Sequence, residues 1–422
     1  MTGAPLAASA LVWAGRSLRE AFFMFWETLW PLVLGFGLSG AVQAFVPHEQ
    51  MERVLGDHRP ATLARASGFG MVSSSCSYAA SAMAKSLFAK GADFVTAIVF
   101  MIASTNLVVE LGIVLVVLMG WQFAAAEFVG GPIMIVLFAL AGGWWFSRRD
   151  TDAARDALAG PPDDHGEHVR PSLRSKAAWS DAAGYAVSDL TMLRRELVIG
   201  YVVAGLLTVL VPVHVWNSVF VHGHGTWTSL ENVIVGPFVA VVSFVCSIGN
   251  VPLAAALWKG GISFGGVVSF VFADLITFPL LLVYRKYYGT RLTLRLVVLL
   301  WLTMSAAGLI VEGIFSGAGL VPHHGAAQIA PTSFHWNYTT YLNIVFLVVL
   351  AGILWAYRQR DRWGGGQGYG VDPVCGMQVR TSDAPAHTVH GGRHVWFCSD
   401  HCKARFVSDP ERYSGAMAPP LG

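Results

Sequence analysis

Long apolar runs separated by short polar interruptions dominate the chain. Stretches long enough to cross hydrocarbon as helices, about 20 residues each, fall at about 21–46, 61–89, 92–119, 122–146, 197–221, 233–258, 263–284, 291–316 and 339–357. Two of them are broken. SSSCS at 73–77 puts hydroxyls and a thiol into the second run, and CSIGNVP at 246–252 breaks the sixth. An unsatisfied backbone group in hydrocarbon costs several kcal/mol, so a break is tolerated only beside protein or a water-filled cavity. Ser73, Ser74, Ser75 and Ser77 can bond the freed carbonyls in the first stretch, while Gly249, Asn250 and Pro252 break the second.

Shifting the sequence by 170 residues superposes the two breaks. Cys76-Ser77 falls on Cys246-Ser247, Ala84 on Ala254, Gly91 on Gly261, Phe94 on Phe264 and Phe100 on Phe270, without a gap. The expected architecture is an all-α polytopic membrane protein with an internal repeat and interrupted helices. Residues 1–146 form the first membrane repeat, 147–195 a polar linker, and 196–357 the second repeat plus a last span. A glycine-rich linker, 358–369, leads to a small α+β module at 370–415. Repeats of this kind place substrate at their interface, near mid-membrane, on interrupted helices. Small residues at the breaks would also serve close helix packing.

Lys/Arg bias sets orientation. Arg16 and Arg19 place the N-terminus in the cytoplasm, and Arg148, Arg149, Arg194 and Arg195 place the linker there. Arg285, Lys286, Arg291 and Arg295, and then Arg358, Arg360 and Arg362, belong inside as well. Nine full crossings conflict with this, so eight to ten are expected, with 233–258 dipping in and returning. No cleavage site follows the first apolar run, which then serves as its own insertion signal.

Composition agrees with the pattern. Of 422 residues, 54% are hydrophobic and 13% charged, with a mean hydropathy of +0.54; a soluble domain carries about 25% charged residues. The net charge of +2 argues against a nucleic-acid partner. Five cysteines do not make a disulfide framework in so long a chain. The partners expected are the lipid bilayer and a small inorganic or organometal(loid) substrate. The oligomeric state is open.

Polar groups inside the runs are the candidates for function, because burying charge in a membrane is costly. Cys76 and Cys246 are matched and lie in the breaks, and thiolates prefer soft ions. Ser75, Ser77, Ser247 and Asn250 would add polar contacts. Asp274 and Glu110 are coupling candidates, joined by Asn106, which an i,i+4 spacing places on the helix face of Glu110. Glu27 and Glu127 are weaker candidates. His214, His222, His224, His323, His324 and His335 lie in two polar loops, irregularly spaced.

In the tail, DPVCGMQV (372–379) precedes HVWFCSDHCKARFVSDPERY (394–413). Cys375 sits in a Pro/Gly turn, and Cys398 and Cys402 share a helix face. With a fourth donor, such as His401, they complete a tetrahedral soft-metal site. The expected cofactor is therefore a heavy or transition metal ion at this module.

These residues carry two resemblances. PVCGM, WFCSDHC and DPERY make the tail similar to a YHS domain, which implies Cys375, Cys398 and Cys402 as metal ligands. SSSCSYAASAMAKSLFAKGAD, ASTNLVVELGIVL, GWQFAAAEFVGG, CSIGNVPLAAALWKGG and FADLITFPLLLVYRKYYG make residues 15–316 resemble the predicted permease family that includes arsenical efflux permeases. The arsenical exporters carry a proline and two close cysteines where this chain has SSSCSYAAS. The resemblance implies a multi-pass inner-membrane permease exporting a soft metal or metalloid by alternating access, with the tail in the cytoplasm. A membrane-anchored metal sensor or metallochaperone is the alternative, and an enzyme is not expected. No G-x-x-x-x-G-K-[ST] motif is present, so ATP does not drive the chain directly.

Overall fold

The computed structural model describes residues 4–46, 48–73, 76–159, 174–211, 214–215, 218–220, 225–243, 247–322, 336, 338–360, 362–365, 369–376, 378–381, 384, 386–391, 393–398 and 400–413. It is a helical bundle carrying a small strand-containing tail. The helices are α1 (Ala4–Phe45), α2 (His48–Leu55), α3 (Pro60–Ser73), α4 (Ser77–Ala89), α5 (Phe94–Asn106), α6 (Val109–Met119), α7 (Trp121–Trp145), α8 (Arg148–Ala159) and α9 (Lys176–Leu210). They continue with α10 (Thr226–Ser243), α11 (Ser247–Lys259), α12 (Phe264–Phe272), a 3₁₀ turn (Ala273–Ile276), α13 (Phe278–Gly317) and α14 (Tyr338–Arg358). Among the described residues, Val12–Phe45, Trp121–Trp145, Phe278–Gly317 and Tyr338–Arg358 are each apolar and long enough to cross a membrane. α5 and α6 are together apolar and long enough to cross as well, with a bend of 41° between them.

Element bounds recur at the 170-residue spacing. α4 and α11 begin at Ser77 and Ser247, and α5 and α12 at Phe94 and Phe264. Local chemistry recurs with them. Asp93 caps α5 by accepting from Thr96 N, and Ser263 caps α12 by accepting from Gly266 N. The turns before those caps use Gly91 (φ 102°) and Gly261 (φ 92°), a backbone region that favours glycine.

Contacts between distant residues fix the path. Asp93 N donates to Leu55 O, and Arg155 Nη2 to Ala92 O. Trp145 Nε1 donates to Arg295 O, and Tyr288 packs edge-on against Phe88 and Phe94. Residues near 55, 90, 145, 155, 288 and 295 therefore share one level, here termed the tail side. At the opposite level Glu312 accepts from Ser229 Oγ and Gly265 N, and Phe264 packs on Phe123 and Phe315. α3 and α4 thus enter from the tail side and return to it, and α10 and α11 do the same from the opposite side. At Gly289 (φ 75°, ψ 168°) α13 reverses on the tail side.

Three sequence expectations change: the path of residues 61–89, the number of crossings and the side on which α1 begins. Residues 61–89 are not one crossing but a hairpin of two helices, because the chain turns back at the serine-rich break. Among the described residues seven segments traverse the bundle, fewer than the eight to ten crossings expected: α1, α5–α6, α7, α9, the run from α12 to Tyr288, the rest of α13, and α14. An odd number puts the start of α1 and the described tail on opposite sides. The start of α1, with Arg16 and Arg19, is consequently opposite the linker and tail, not beside them. Residues 233–258 dip and return as expected. The polar linker contains α8 and the start of α9; residues 160–173 lie outside the described set.

α1 and α9 pack antiparallel along their length through glycine contacts. A Cβ on Gly40 would lie 2.2 Å from Ala182 O, and one on Gly205 2.3 Å from Ser17 O. The tail pairs β1 (Tyr369–Val371) with β2 (Gln378–Arg380) and β3 (Ala386–His390) with β4 (Arg393–Phe397), followed by α15 (Asp400–Ser408). Phe397 and Phe406 form its core. It docks on the start of α9, where Ser188 Oγ donates to Gly376 O and accepts from Gln378 N, and Arg360 pairs with Asp181 at 3.4 Å.

Candidate functional site

The break between α3 and α4 lands on the interruption between α12 and α13. Ser77, the first residue of α4, donates to Asp274 Oδ2 at 2.7 Å, and both are buried. Asp274 sits in the 3₁₀ turn that interrupts the α12–α13 span. Cys76 precedes Ser77 in extended conformation (φ −66°, ψ 156°). Its sulfur faces the N–H groups of Tyr78 and Ala79 and lies within Coulombic range of Asp274. Ser73, at the end of α3, shares a 2.7 Å hydrogen bond with Ser104 of α5. Glu127 of α7 is buried within range of the Asp274 charge. Asn106 and Asn250 are fully buried, and neither amide has a hydrogen-bond partner among the described residues. Burying bare amides costs roughly 1–3 kcal/mol each unless something else bonds them, so these groups are suited to a bound species or water.

The other predicted residues fare differently. Glu110 and Asn106 do not share a helix face, because the chain bends between α5 and α6 at Leu107–Val108, where Val108 is extended (φ −97°, ψ 138°). Asn106 is buried, whereas Glu110 accepts from Tyr338 OH of α14 at 3.3 Å. Ser247 is placed by its backbone at the start of α11. Ser75 and Cys246 lie outside the described residues, as do His222, His224, His323, His324 and His335.

Sequence reasoning missed a second buried polar cluster. Lys85 Nζ lies 2.8 Å from Asp189 Oδ1, with the two side chains 5% and 3% exposed. A lysine four residues from the end of an apolar run reads as a span terminus, and Asp189 fell in the presumed linker. The sequence signal was present all the same: Ser39, Gln43 and Lys85 are polar residues inside apolar helices.

In the tail, ligand atoms of Asp372, Cys375, Cys398 and Cys402 all lie within 4.8 Å of one another. The sulfurs of Cys375 and Cys398 are 3.4 Å apart, and those of Cys398 and Cys402 3.6 Å. Tetrahedral Zn–S bonds of about 2.3 Å would set sulfurs about 3.8 Å apart, so the residues fit a tetrahedral soft ion. The described fourth donor is Asp372, three residues before Cys375 in the same turn; the His401 side chain lies outside the described set. Cys398 precedes α15 rather than lying on it, and the two sulfurs still meet. Asp372 also shapes the site, accepting from Val374 N and Cys398 N at 2.8 and 2.9 Å. Burial raises the Asp372 carboxyl above its usual range, helped by the neighbouring Cys402. The Cys398 thiol is pushed up by its contacts with Cys375 and Cys402 and by burial. A cavity of about 310 Å³ lies between this turn and α9, lined by Ser188, Thr191, Arg194, Asp372 and Cys375 among others.

Known proteins bear on both parts. Residues 371–417 match the YHS domain. A protein of Mycobacterium tuberculosis described as a permease, Rv2963, is 46% identical over 314 residues, covering 71% of this chain and 77% of that one. A copper-transporting P-type ATPase of Rhizobium leguminosarum is 45% identical over 42 residues, which is 10% of this chain and 5% of that protein. No solved structure matches the chain. Residues 19–313 match the family described as predicted permease, and with most of its helical bundle inside that match the chain belongs to this family of membrane permeases.

Proposed function

We propose that the protein moves a soft metal or metalloid species, arsenicals among them, across the inner membrane by alternating access. The observation that carries this reading is the Ser77–Asp274 hydrogen bond, which joins the break of one hairpin to the interruption of the opposite span. In this reading the recurring elements are two inverted repeats, and transport rocks them about the shared centre. Cys76 and Cys246 contact the substrate through sulfur, a soft donor. Ser75, Ser77, Ser247 and Asn250 supply polar contacts. Asp274 is the coupling carboxylate, supported by Glu127 and Asn106, whereas Glu110 with its Tyr338 partner has a weaker claim. The YHS tail is cytoplasmic and passes metal to the bundle or holds it there. The chain is a transporter and not an enzyme.

A deletion strain complemented with the gene and challenged with arsenite, methylarsenite, copper, zinc, mercury and cadmium tests the reading. Protection against at least one agent is expected, together with its loss in Cys76→Ser. Unchanged survival against every agent, with the protein present in the membrane, would refute it. The three-sulfur cluster also favours a second reading, a membrane-anchored metal sensor or metallochaperone. That reading requires function to vanish on removal of residues 370–422, while transport through the bundle would survive.

A further inference from the structure

Lys85 and Asp189 form the most completely buried ion pair in the bundle among the described residues. Four elements converge on it. Ser39 Oγ of α1 donates to Asp189 Oδ2 at 2.8 Å, and Gln43 Nε2 of α1 donates to the same oxygen at 3.0 Å. Ser86 of α4 shares a 3.0 Å hydrogen bond with Ser39. The Lys85 ammonium also lies over the ring of Tyr287 from α13, 5.4 Å from its centre. Intramembrane charges are costly, and where they occur they mark pathways more often than packing.

Position gives the pair its meaning. α4 runs from Ser77 towards the tail side, and eight residues of helix separate Ser77 from Lys85, a rise of about 12 Å. The pair therefore lies between the Ser77–Asp274 centre and the tail-side surface. It also ties α4, the returning arm of the hairpin, to the α1–α9 pair. We propose that Lys85 and Asp189 are the tail-side gate of the permease, a charge lock whose opening admits water and substrate to the centre. Tyr287 closes the same passage from α13. This inference rests on the reading of the Ser77–Asp274 cluster as the transport centre.

Cys76 is a built-in reporter, since it borders Ser77 and is buried. In full-length protein with Cys246, Cys375, Cys398 and Cys402 changed to serine, a charged, membrane-impermeant maleimide is applied to inside-out and to right-side-out vesicles. With the gate intact, labelling from the tail side should be slow. Asp189→Asn removes the lock and should raise that rate at least tenfold, leaving the rate from the other side unchanged or lower. A second variant guards against misfolding. Lys85→Met with Asp189→Val replaces the pair by apolar side chains nearer to theirs in size, a change that buried pairs often tolerate or gain stability from. It should still fold and melt cooperatively and keep Cys76 protected, and in the chain with its native cysteines it should abolish transport. Equal tail-side rates in parent and Asp189→Asn, or full transport by the double variant, overturn the gate alone. Labelling from neither side in any variant overturns the gate and the central pathway together.

Discussion

Ser77 donates to the buried carboxyl of Asp274, and leaving one partner of a buried hydrogen bond unpaired costs about 1–3 kcal/mol. Ser77→Ala should slow transport about tenfold or more, and Asp274→Asn, which keeps the shape but not the charge, should slow it further; flux into proteoliposomes measures both. At the tail the chemistry is acid–base. The Cys398 thiol is held up by hydrogen bonds with its neighbours and by burial. The bond with Cys398 lowers the Cys375 thiol, but the contact with Cys402 and burial outweigh it. A metal must displace these protons, so affinity should rise with pH, by up to about three decades per unit if three protons leave together. Cadmium–thiolate absorption followed across pH, with dye-detected proton release in weak buffer, reads this directly. Without metal the sign reverses. Thiol values raised by folding favour the folded tail below the unfolded thiol value of about 8.5, and that contribution is lost as pH rises beyond it. Residues such as Cys76 and Asp274 drew attention in the sequence because polar groups stand out in an apolar run, and both are buried in the fold. Asp372 was overlooked in its own motif, since metal-ligand spacing draws attention to thiols and the carboxylate looks like ordinary turn chemistry.

Helices in this bundle meet through glycine where a side chain would strike backbone. Gly205→Val should therefore be costly, because its Cβ would stand 2.3 Å from Ser17 O and 2.8 Å from Ala21 N. Overpacking of this kind costs about 1–3 kcal/mol or more, and the detergent-solubilised protein should melt several degrees lower. Gly313→Ala, in a helix with open space around the position, is the control and should leave the melting temperature within about 1 °C. Hydrophobic pattern located nearly every helix here but not its direction. A run of about 30 apolar residues satisfies the length of a crossing whether the chain continues or turns back. Only the break at Ser73–Cys76 distinguishes the two, and serine is also an ordinary residue at helix contacts. The bend at Leu107–Val108 was equally silent, since both residues are apolar and nothing in the side chains marks the change of backbone.

Seven traverses among the described residues put the start of α1 and the tail on different sides, and this is where sequence bias and architecture pull hardest on each other. Arg16 and Arg19 alone suggested a cytoplasmic N-terminus, but a whole-molecule count overrides a local one. Lys90, Arg148, Arg149, Arg155, Arg285, Lys286, Arg291, Arg295 and Arg358 gather on the tail side, and several are held there by partners. Arg155 bonds Ala92 O, Lys286 pairs with Glu196, and Arg295 pairs with Asp150. On the opposite side the described residues place Arg16, Arg19 and Lys259. On the proposed reading, in which the tail faces the cytoplasm, the tail-side charges follow the positive-inside bias and the three thiols sit in a reducing compartment. An epitope tag before Met1 should be reached by antibody in intact spheroplasts, and a tag after Gly422 only after permeabilisation. Two tags exposed on the same side would mean an even number of crossings. One of the hairpins would then have to pass through the membrane, and the meeting of the two breaks at Ser77 and Asp274 would lose its physical basis.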